Sequence, residues 1–236
     1  MLSKTDAVIL CGGLGKRLQP VVSTTSKVMA EVSGRPFLDI VIAHLKKQGI
    51  RRVILCTGHK AEQVEDYYRK DPQGLTFEFS REFDPLGTGG ALKNAWYFIE
   101  SDPFLVLNGD SFCAVDLNAF VDFHHSKLAR ASVVISSATD ASAFGKIFLD
   151  EEVKIVKFRE KDPDRGGHGV NAGVYCFNED VSLFMPDAKR FSLEHDVLPA
   201  LVGKGFYGFC VDQEFYDIGT PERYEAARQV LERTKE

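Results

Sequence analysis

The 236-residue sequence lacks the features that mark several classes of protein. No apolar run approaches the ~20 residues of a membrane span. The polar residues 1–6 lead straight into an apolar segment, so no signal peptide is predicted. Acidic and basic residues are interspersed, the formal net charge is −5, and no long basic stripe is present. We therefore expect a cytoplasmic protein that binds neither nucleic acid nor a membrane.

Cysteine is scarce, and its spacing excludes common metal and disulfide arrangements. The five cysteines include no CxxC pair, and none has a histidine at zinc-finger spacing. Cys11, Cys56, Cys176 and Cys210 lie in apolar, strand-like runs, so we expect them to be small buried hydrophobic residues. An odd number of cysteines without a disulfide framework fits a reducing compartment.

The first half of the chain alternates short apolar runs with segments of helical spacing. Such a rhythm predicts βαβ units and a parallel sheet with helices on both faces. The predicted strands are 7–11, 52–56, 76–80 and 104–107, and the predicted helices are 37–48, 61–70 and 91–100.

The pattern changes after residue 110, where closely spaced strands favour antiparallel pairing. The predicted strands are 132–138, 145–149, 153–158 and 170–177, and the predicted helices are 116–127, 192–201 and 221–233. We predict one α/β domain over residues 1–236: a Rossmann-like three-layer sandwich, with a mostly parallel central sheet and a smaller antiparallel C-terminal portion. Residues 1–115 would form a nucleotide-type half and residues 116–236 a more antiparallel half.

A glycine-rich loop, residues 11–18, follows the first predicted strand. Glycines let the backbone approach a phosphate and direct N–H groups at it, and Lys16 and Arg17 add positive charge. The sequence matches neither of two common phosphate-binding motifs. The dinucleotide fingerprint requires a glycine where Leu18 stands, and a P-loop requires a glycine at Leu10 and Ser or Thr at Arg17. The loop therefore indicates phosphate binding of another kind.

The longer string resembles the signature of the sugar-1-phosphate nucleotidyltransferases, which make nucleotide sugars on a Rossmann-like fold. The string runs from Gly12-Gly13 through Gly15, Arg17-Leu18 and Pro20 to Lys27 and then residues 34–38, and later motifs follow in the family's order. The resemblance implies that Arg17 and Lys27 act on the triphosphate. The family usually has Thr at the position of Lys16 and Pro-Lys-Pro at Ser26-Lys27-Val28. The lysine is kept, but the prolines that would stiffen its neighbours are absent.

A second glycine segment, residues 85–91, resembles the family's base-binding segment. Residues 82–92 resemble those of bacterial heptose 1-phosphate guanylyltransferases, which implies GTP as the nucleotide. The nucleotide contacts implied by the resemblance are Leu10, Gly12, Gly13, Gly15 and Lys16, then Glu82, Leu86, Gly87, Thr88 and Gly89, then Asn108 and Gly109.

Two aspartates are candidate ligands for Mg²⁺. Asp110 ends a predicted strand beside the phosphate loop, where a carboxylate suits a hard cation. Asp217 precedes the predicted helix 221–233, so a helix cap is a rival role for it. The two segments together resemble the paired metal-binding aspartates of the family. Since a phosphate monoester is already nucleophilic, His124 and His125 are not needed for the reaction, and we expect them on a solvated helix face.

The sugar 1-phosphate would bind in the second half. The family resemblance implies that Glu160 takes sugar hydroxyls, Lys161 the sugar phosphate and Asn171 a further hydroxyl, while Gly145 and Gly173 let the ring approach. The implied product is a GDP-heptose for capsule or other surface polysaccharide. The resemblance also leaves a homo-oligomer open, since many relatives associate.

Several alternatives stay open at this point. The sugar could be mannose, glucose or N-acetylmuramate 1-phosphate, and the nucleotide UTP, CTP or dTTP. A catalytically weak homologue that binds nucleotide sugars and regulates a partner is the alternative from another class. A nicotinamide oxidoreductase is excluded, because Leu18 stands where the dinucleotide-binding motif requires its third glycine.

Overall fold

The computed structural model describes residues 2–137, 146–159 and 168–233. The strands, in chain order, are β1 (Asp6–Leu10), β2 (Glu31–Val32), β3 (Arg35–Pro36), β4 (Arg52–Thr57), β5 (Thr76–Arg81), β6 (Phe104–Asn108), β7 (Ser111–Cys113), β8 (Ala131–Ser136), β9 (Lys146–Leu149), β10 (Ile155–Arg159), β11 (Gly169–Phe177), β12 (Phe206–Val211) and β13 (Phe215–Asp217). The helices are α1 (Phe37–Lys47), α2 (Ala61–Lys70), α3 (Gly87–Ala95), α4 (Leu117–Ser126), α5 (Leu198–Leu201) and α6 (Pro221–Arg233). Short 3₁₀ turns cover Leu2–Lys4, Lys27–Met29, Trp96–Phe98 and Glu179–Phe184.

Nine of the described strands form one sheet, and its parallel part has the order β6-β1-β4-β5. Strand β1 explains why the sheet needs helices on both faces. Ala7 and Ile9 are buried in one hydrophobic cluster, and Val8 between them is buried in the other. A strand without a polar face can exist only between two apolar layers. The three-layer α/β fold predicted from the sequence is thus confirmed.

The antiparallel part of the sheet is built around β11. This strand pairs antiparallel with β6, β8 and β9, and β9 pairs in turn with β10. Strand β12 continues the sheet beside β8 in parallel orientation. A separate two-stranded sheet joins β7 to β13, and the backbone N–H of Ile218 donates to Asp110 O at 3.0 Å. The C-terminal segment therefore returns to the carboxyl end of β6.

The helices divide between the two faces according to their apolar sides. The cluster that contains Ile9 also contains Leu38 of α1, Tyr68 of α2 and Phe120 of α4. The cluster that contains Val8 takes Leu92 from α3 and residues from α5. Among the described residues, no helix is long and apolar enough to cross a bilayer.

The structure corrects two helix boundaries. The predicted helix 91–100 begins at Gly87 and ends at Ala95. It begins early because the Phe191 carbonyl, remote in sequence, accepts from the N–H groups of Gly89 and Gly90 and so anchors the first turn. The predicted helix 192–201 begins with the π-helical turn Leu193–Val197 before it becomes α5.

Two burial predictions were wrong. Cys210 lies in β12 as a strand residue but is exposed: it shares a face with the buried Phe206 and Gly208, and burial is lost toward the end of the strand. His124 is 1% exposed, whereas only its neighbour His125 faces solvent. The His124 ring is accommodated because Nδ1 lies 2.9 Å from Ser132 Oγ and Nε2 lies 2.9 Å from Asn178 Oδ1.

Candidate active site

A cleft of about 300 Å³ opens at the carboxyl ends of β1 and β6, beside the start of α3. This is the edge of an open α/β sheet at which ligands characteristically bind. The predicted site residues that line this cleft are Leu10, Gly12, Gly13, Lys27, Glu82, Gly87, Thr88, Asn108 and Asp110. Four stretches that are separate in sequence therefore meet around one space.

The glycine-rich loop turns sharply beside Lys27. Gly15 has φ +59°, and the N–H groups of Leu18 and Gln19 both donate to its carbonyl. A Cβ on Gly15 would lie only 3.0 Å from Lys27 Cβ, so glycine allows the lysine stem to pass closely. Beyond this turn Arg17 is exposed, and its Nη2 lies 3.7 Å from the position of a Cβ on Gly219.

Lys16 and Arg17 do not line the cleft itself. Arg17 reaches the turn that follows β13, whereas Lys16 is exposed to solvent. Gly15 borders a smaller depression next to the cleft, together with Leu14 and Lys27. The basic side chains of the loop thus lie outside the cleft, and Gly12 and Gly13 line its wall.

The two candidate metal ligands come from adjacent segments. Asp217 ends β13 and lies opposite Ser111, the residue that follows Asp110. Each carboxylate has a cationic partner: Lys27 Nζ forms an ion pair with Asp110, and Arg223 Nη1 lies 3.0 Å from Asp217 Oδ2. Asp217 Oδ1 also accepts from the Gly219 N–H at 2.6 Å, so Asp217 shapes this turn and does not cap α6.

Burial raises the pKa of the Asp217 carboxyl, and the charge of nearby Asp110 adds to the rise. The Gly219 N–H and the Arg223 guanidinium oppose it. Two carboxylates that repel each other and are each neutralised by a flexible cation suit a divalent ion. In the part of the chain that the structure describes, no group of three or more His, Cys, Asp or Glu side chains could hold a metal. Mg²⁺ does not need such a cage, since it commonly binds one or two carboxylates and substrate phosphates.

Glu82 follows the last residue of β5 and lines the cleft. Its Oε1 lies 3.0 Å from the position of a Cβ on Gly12 and 2.8 Å from that of a Cβ on Gly58. Its Oε2 accepts from the Leu86 N–H at 3.2 Å. Burial raises the pKa of this carboxyl, and the Leu86 N–H opposes the rise. The two glycines therefore make room for an acidic side chain.

The second glycine segment has one face toward the cleft and one toward Phe191. Gly87 has φ +74°, and a Cβ there would lie 2.5 Å from Phe191 O. A Cβ on Gly89 would lie 2.4 Å from the Phe191 ring, and the Gly89 N–H donates to Phe191 O. Gly89 and Leu86 do not line the cleft, whereas Gly87 and Thr88 do. Thr88 Oγ1 donates to Glu194 at 2.6 Å, which ties the segment to the C-terminal half.

The predicted sugar-site residues are only partly visible. Gly145, Glu160 and Lys161 lie outside the described residues. Asn171 is buried, at 9% exposed, and its side chain donates to the Tyr175 hydroxyl at 2.7 Å and accepts from the Gly173 N–H at 2.9 Å. Both ends of this amide thus hydrogen-bond within β11.

Gly173 makes room for the Asn108 side chain. It has φ +68°, and a Cβ there would lie 2.7 Å from Asn108 Nδ2. Asn108 Oδ1 is buried and has no hydrogen-bond partner among the described residues. A buried acceptor at the cleft wall is costly unless a ligand satisfies it.

Sequence reasoning did not identify Arg223. It follows Thr220-Pro221 at the start of α6, where charged residues are ordinary, and only the turn after β13 brings it to Asp217. Gly109 is also placed for a structural reason. Its N–H donates to Leu10 O, and a Cβ would lie 3.1 Å from Cys11 Cβ, so it lets β6 end close to β1.

Comparisons with known proteins agree with this geometry. The chain matches the family described as Nucleotidyl transferase over residues 6–234. It is 36% identical over 228 residues to a D-glycero-alpha-D-manno-heptose 1-phosphate guanylyltransferase of Aneurinibacillus thermoaerophilus, which covers 96% of this chain and 98% of the relative. It is also 36% identical over 225 residues to a mannose-1-phosphate guanylyltransferase of Mycobacterium tuberculosis, covering 94% of this chain and 63% of the relative.

Among solved structures, HddC from Yersinia pseudotuberculosis complexed with GMP-PN is similar at a TM-score of 0.83 and 34% sequence identity. The match covers 96% of this chain and 99% of that chain. The resemblance inferred from the glycine-rich loop is thereby confirmed: the chain belongs to the nucleotidyl transferase family and is a nucleotidyltransferase.

Proposed function

We propose that this nucleotidyltransferase transfers GMP from GTP to D-glycero-α-D-manno-heptose 1-phosphate and releases pyrophosphate. The heptose is supported by the relative from Aneurinibacillus thermoaerophilus, whose length the match covers almost completely. The product, a GDP-heptose, would serve the synthesis of capsule or other surface polysaccharide. The observation that carries the choice of guanine is the Glu82 carboxylate in the cleft.

The hydrogen-bonding edge of guanine is complementary to a carboxylate. An ionised Glu offers only acceptors, and guanine presents two adjacent donors, N1–H and N2–H. Uracil and thymine present one N–H between two carbonyl oxygens, so the second carboxylate oxygen would face another acceptor. Cytosine presents an acceptor at the corresponding ring nitrogen. Glu82 Oε1 lies against Gly12 and Gly58, where a Cβ would contact it, and so has a fixed position for such a contact.

The phosphate chemistry follows from the charges around the cleft. An oxygen of the sugar phosphate attacks the α-phosphorus of GTP, and the bond from that phosphorus to the bridging oxygen of pyrophosphate breaks. Both reactants are anionic, so cations that hold them in line lower the barrier. Lys27 in the cleft and Arg17, whose guanidinium lies near Gly219 in the turn after Asp217, would supply this charge, and Gly12 and Gly13 line the wall of the cleft. Lys161 would hold the sugar phosphate.

Asp110 and Asp217 would hold Mg²⁺, since their carboxylates lie on adjacent segments and are paired with cations that can move away. When bound, Mg²⁺ would neutralise phosphate charge and orient the displacement. On the sugar side, Asn108 lines the cleft and would offer its amide to a ribose or sugar hydroxyl. Glu160 would complete the sugar pocket, while Asn171, whose amide is engaged within β11, and Gly173, which accommodates Asn108, would support its wall. We further propose a cytoplasmic location, which suits five free cysteines.

The test is a matrix of GTP, ITP, UTP, CTP and dTTP against heptose, mannose, glucose and N-acetylmuramate 1-phosphates with Mg²⁺, read as pyrophosphate release. We expect the heptose phosphate with GTP to give the highest kcat/KM. ITP, which lacks the 2-amino group, should lose about 10- to 100-fold, as expected for one unmade hydrogen bond to a charged group. Release with no pair would overturn the reaction, and turnover with UTP but not GTP would overturn the guanine assignment.

Glu82→Gln tests the carrying observation directly. The variant should lose most of the preference for GTP over ITP, because the amide presents a donor where the carboxylate presents an acceptor. Asp84→Asn, on the same loop but outside the cleft lining, is the matched control. Unchanged discrimination in Glu82→Gln would remove Glu82 from base recognition.

Mannose 1-phosphate is the second candidate for the sugar, because the Mycobacterium tuberculosis relative is equally identical over 225 residues. That relative is longer, and the match covers only 63% of it, whereas the heptose relative matches this chain along nearly its whole length. The same matrix separates the two sugars.

A further inference from the structure

We propose that Gln63 and Lys60 are positioning residues that hold the segment preceding Lys27 and thereby fix this lysine for the transfer reaction. The inference rests on the proposed role of Lys27 at the phosphates. Residues 23–28 are called the Lys27 segment below. Neither Ser26 nor Val28 is a proline, so the backbone on each side of Lys27 is not restrained by its own covalent structure.

The Gln63 side chain bridges two backbone groups of the Lys27 segment. Its Oε1 accepts from the Ser26 N–H at 2.7 Å, and its Nε2 donates to Thr24 O at 3.0 Å. One amide thus makes the pair of hydrogen bonds that a neighbouring strand would otherwise supply. Because both bonds end on the backbone, they fix the path of the chain, whatever its side chains do.

Lys60 adds two contacts to the same segment. Its Nζ donates to Ser23 O at 2.6 Å and to Thr25 O at 3.2 Å. Together the two side chains engage carbonyls of three consecutive residues and the N–H of the fourth. The segment is therefore tied to the start of α2 immediately before Lys27.

The start of α2 is itself anchored to the cleft. The Ala61 N–H donates to Gly58 O at 3.0 Å, and a Cβ on Gly58 would lie 2.8 Å from both Gly12 O and Glu82 Oε1. Lys60 has φ +56° and Gln63 N–H donates to its carbonyl, so the turn that presents both side chains is defined. The cleft wall at Gly12 and Glu82, the first turn of α2 and the Lys27 segment are therefore connected by direct contacts.

Ser26 transmits this constraint to Lys27. Ser26 is 1% exposed, and the 3₁₀ turn Lys27–Met29 begins directly after it with Met29 N–H donating to Ser26 O at 3.0 Å. The Ser26 hydroxyl has no partner among the described residues, so it is the backbone N–H that carries the hydrogen bond. Loss of Gln63 would leave this buried donor unpaired and the lysine less well placed.

The conformation of Ser26 permits a sharp test. Its φ is −65° and its ψ is 153°, values that proline adopts without strain. Ser26→Pro would remove the N–H that Gln63 binds and supply covalent rigidity in its place. If Gln63 acts by holding the backbone at Ser26, its replacement should lower activity in the parent and have little effect in the Ser26→Pro background.

The experiment is a double-mutant cycle of Gln63→Ala and Ser26→Pro, with kcat and KM measured on the best substrate pair. We expect Gln63→Ala alone to lower kcat about 10-fold, as misplacement of a charged group does. The KM for the nucleoside triphosphate should change less than about 3-fold. Ser26→Pro alone should retain most activity, and Gln63→Ala should cost less than about 2-fold in that background. Equal losses in both backgrounds would overturn the proposal.

Two controls separate positioning from general damage. Gln63→Ala removes the acceptor of one buried N–H, so its melting temperature should fall by only a few degrees while the fold persists. Lys70→Ala, exposed at the far end of α2, should behave as the parent. Hydrogen exchange at the Ser26 amide provides a readout that needs no turnover: it should accelerate at least about 10-fold in Gln63→Ala. Unchanged exchange would overturn the proposal even if the substrates differ from those proposed. If exchange at the Ser26 amide accelerates but the parent enzyme is inactive with every substrate pair, only the proposed function is overturned.

Discussion

Arg223 and Asp217 form an ion pair across the turn that leads into α6, with Arg223 Nη1 3.0 Å from Asp217 Oδ2 and 3.3 Å from Oδ1. The Asp217 side chain is only 12% exposed in this pair. Lys27 likewise forms an ion pair with Asp110, whose side chain is more open at 39% exposed. A divalent ion would therefore compete with a positive partner at each proposed metal ligand.

Arg223→Met should strengthen divalent-ion binding, because the ion no longer competes with the guanidinium for Asp217. An ion pair of this exposure contributes up to about 1 kcal/mol, which corresponds to an affinity gain of about 5-fold. The measurement is Mn²⁺ binding by electron paramagnetic resonance, with a non-hydrolysable GTP analogue present. Arg228→Met, on the same helix and paired with Glu225, is the matched control. Weaker binding in Arg223→Met would mean that the arginine orients Asp217 for the metal.

Asp110→Asn should lower kcat by at least about 100-fold, because a neutral amide is a poor ligand for Mg²⁺. The fold should persist, since the Asp110 carbonyl that accepts from Ile218 N–H is unchanged. Pyrophosphate release and the thermal transition are measured on the same samples. Asp122→Asn, exposed on α4, serves as the control. Near-normal turnover in Asp110→Asn would take this residue out of the metal site.

Two glycine substitutions should separate packing from ligand binding. Gly89→Ala should destabilise the protein by about 1–3 kcal/mol, because its Cβ would lie 2.4 Å from the packed Phe191 ring. Gly13→Ala should leave stability unchanged, since nothing lies within 4 Å of its Cβ position, yet it should weaken nucleotide binding at the cleft wall. Chemical unfolding and nucleotide titration together test both. Equal unfolding free energies for the two variants would contradict the assignment.

His124 should make stability depend on pH. Burial lowers the pKa of this ring, and the hydrogen bond to Asn178 only partly opposes the effect. The unfolded chain therefore binds a proton more readily than the folded one, so stability falls as the pH drops through the ordinary histidine pKa of about 6.5. The slope of unfolding free energy between about pH 7.5 and 5.5 should be smaller in His124→Gln than in the parent.

The pKa of His44 is also lowered, chiefly by burial, so the slope should diminish in His124→Gln without vanishing. His125→Gln is the matched control, because its exposed ring lies on the same helix. An unchanged slope in His124→Gln would show that the buried ring takes up its proton without cost to the fold.

The local parts of the fold were predictable, because the signals that specify them are local. The apolar run of β1 and the helical spacing of α1 can be recognised from neighbouring residues alone, and so can the glycine turn at Gly15. The start of α3 was misplaced because it depends on the Phe191 carbonyl. His124 was misplaced because its partner Asn178 comes from another part of the chain.

The candidate site also has residues that local sequence motifs predict and residues that only long-range contacts reveal. Residues carried by a motif, such as Lys27 and Asp110, could be proposed from the sequence and do meet at the cleft. Arg223 and Gln63 could not, because each acts through a contact that exists only after the chain has folded. The family comparison supports the reaction, but those two residues become visible only in the structure.

The packing of Phe191 against the second glycine segment restricts how the nucleotide site can vary. Gly87, Gly89 and Gly90 each have backbone or ring atoms of residues 189–191 within 2.5 Å of where a Cβ would lie. The three positions are therefore closed to larger side chains for a reason independent of any ligand. In this part of the chain Glu82, Pro85, Thr88 and Ala91 also line the cleft, so a library designed to alter the proposed nucleotide choice should vary these positions and leave the glycines fixed.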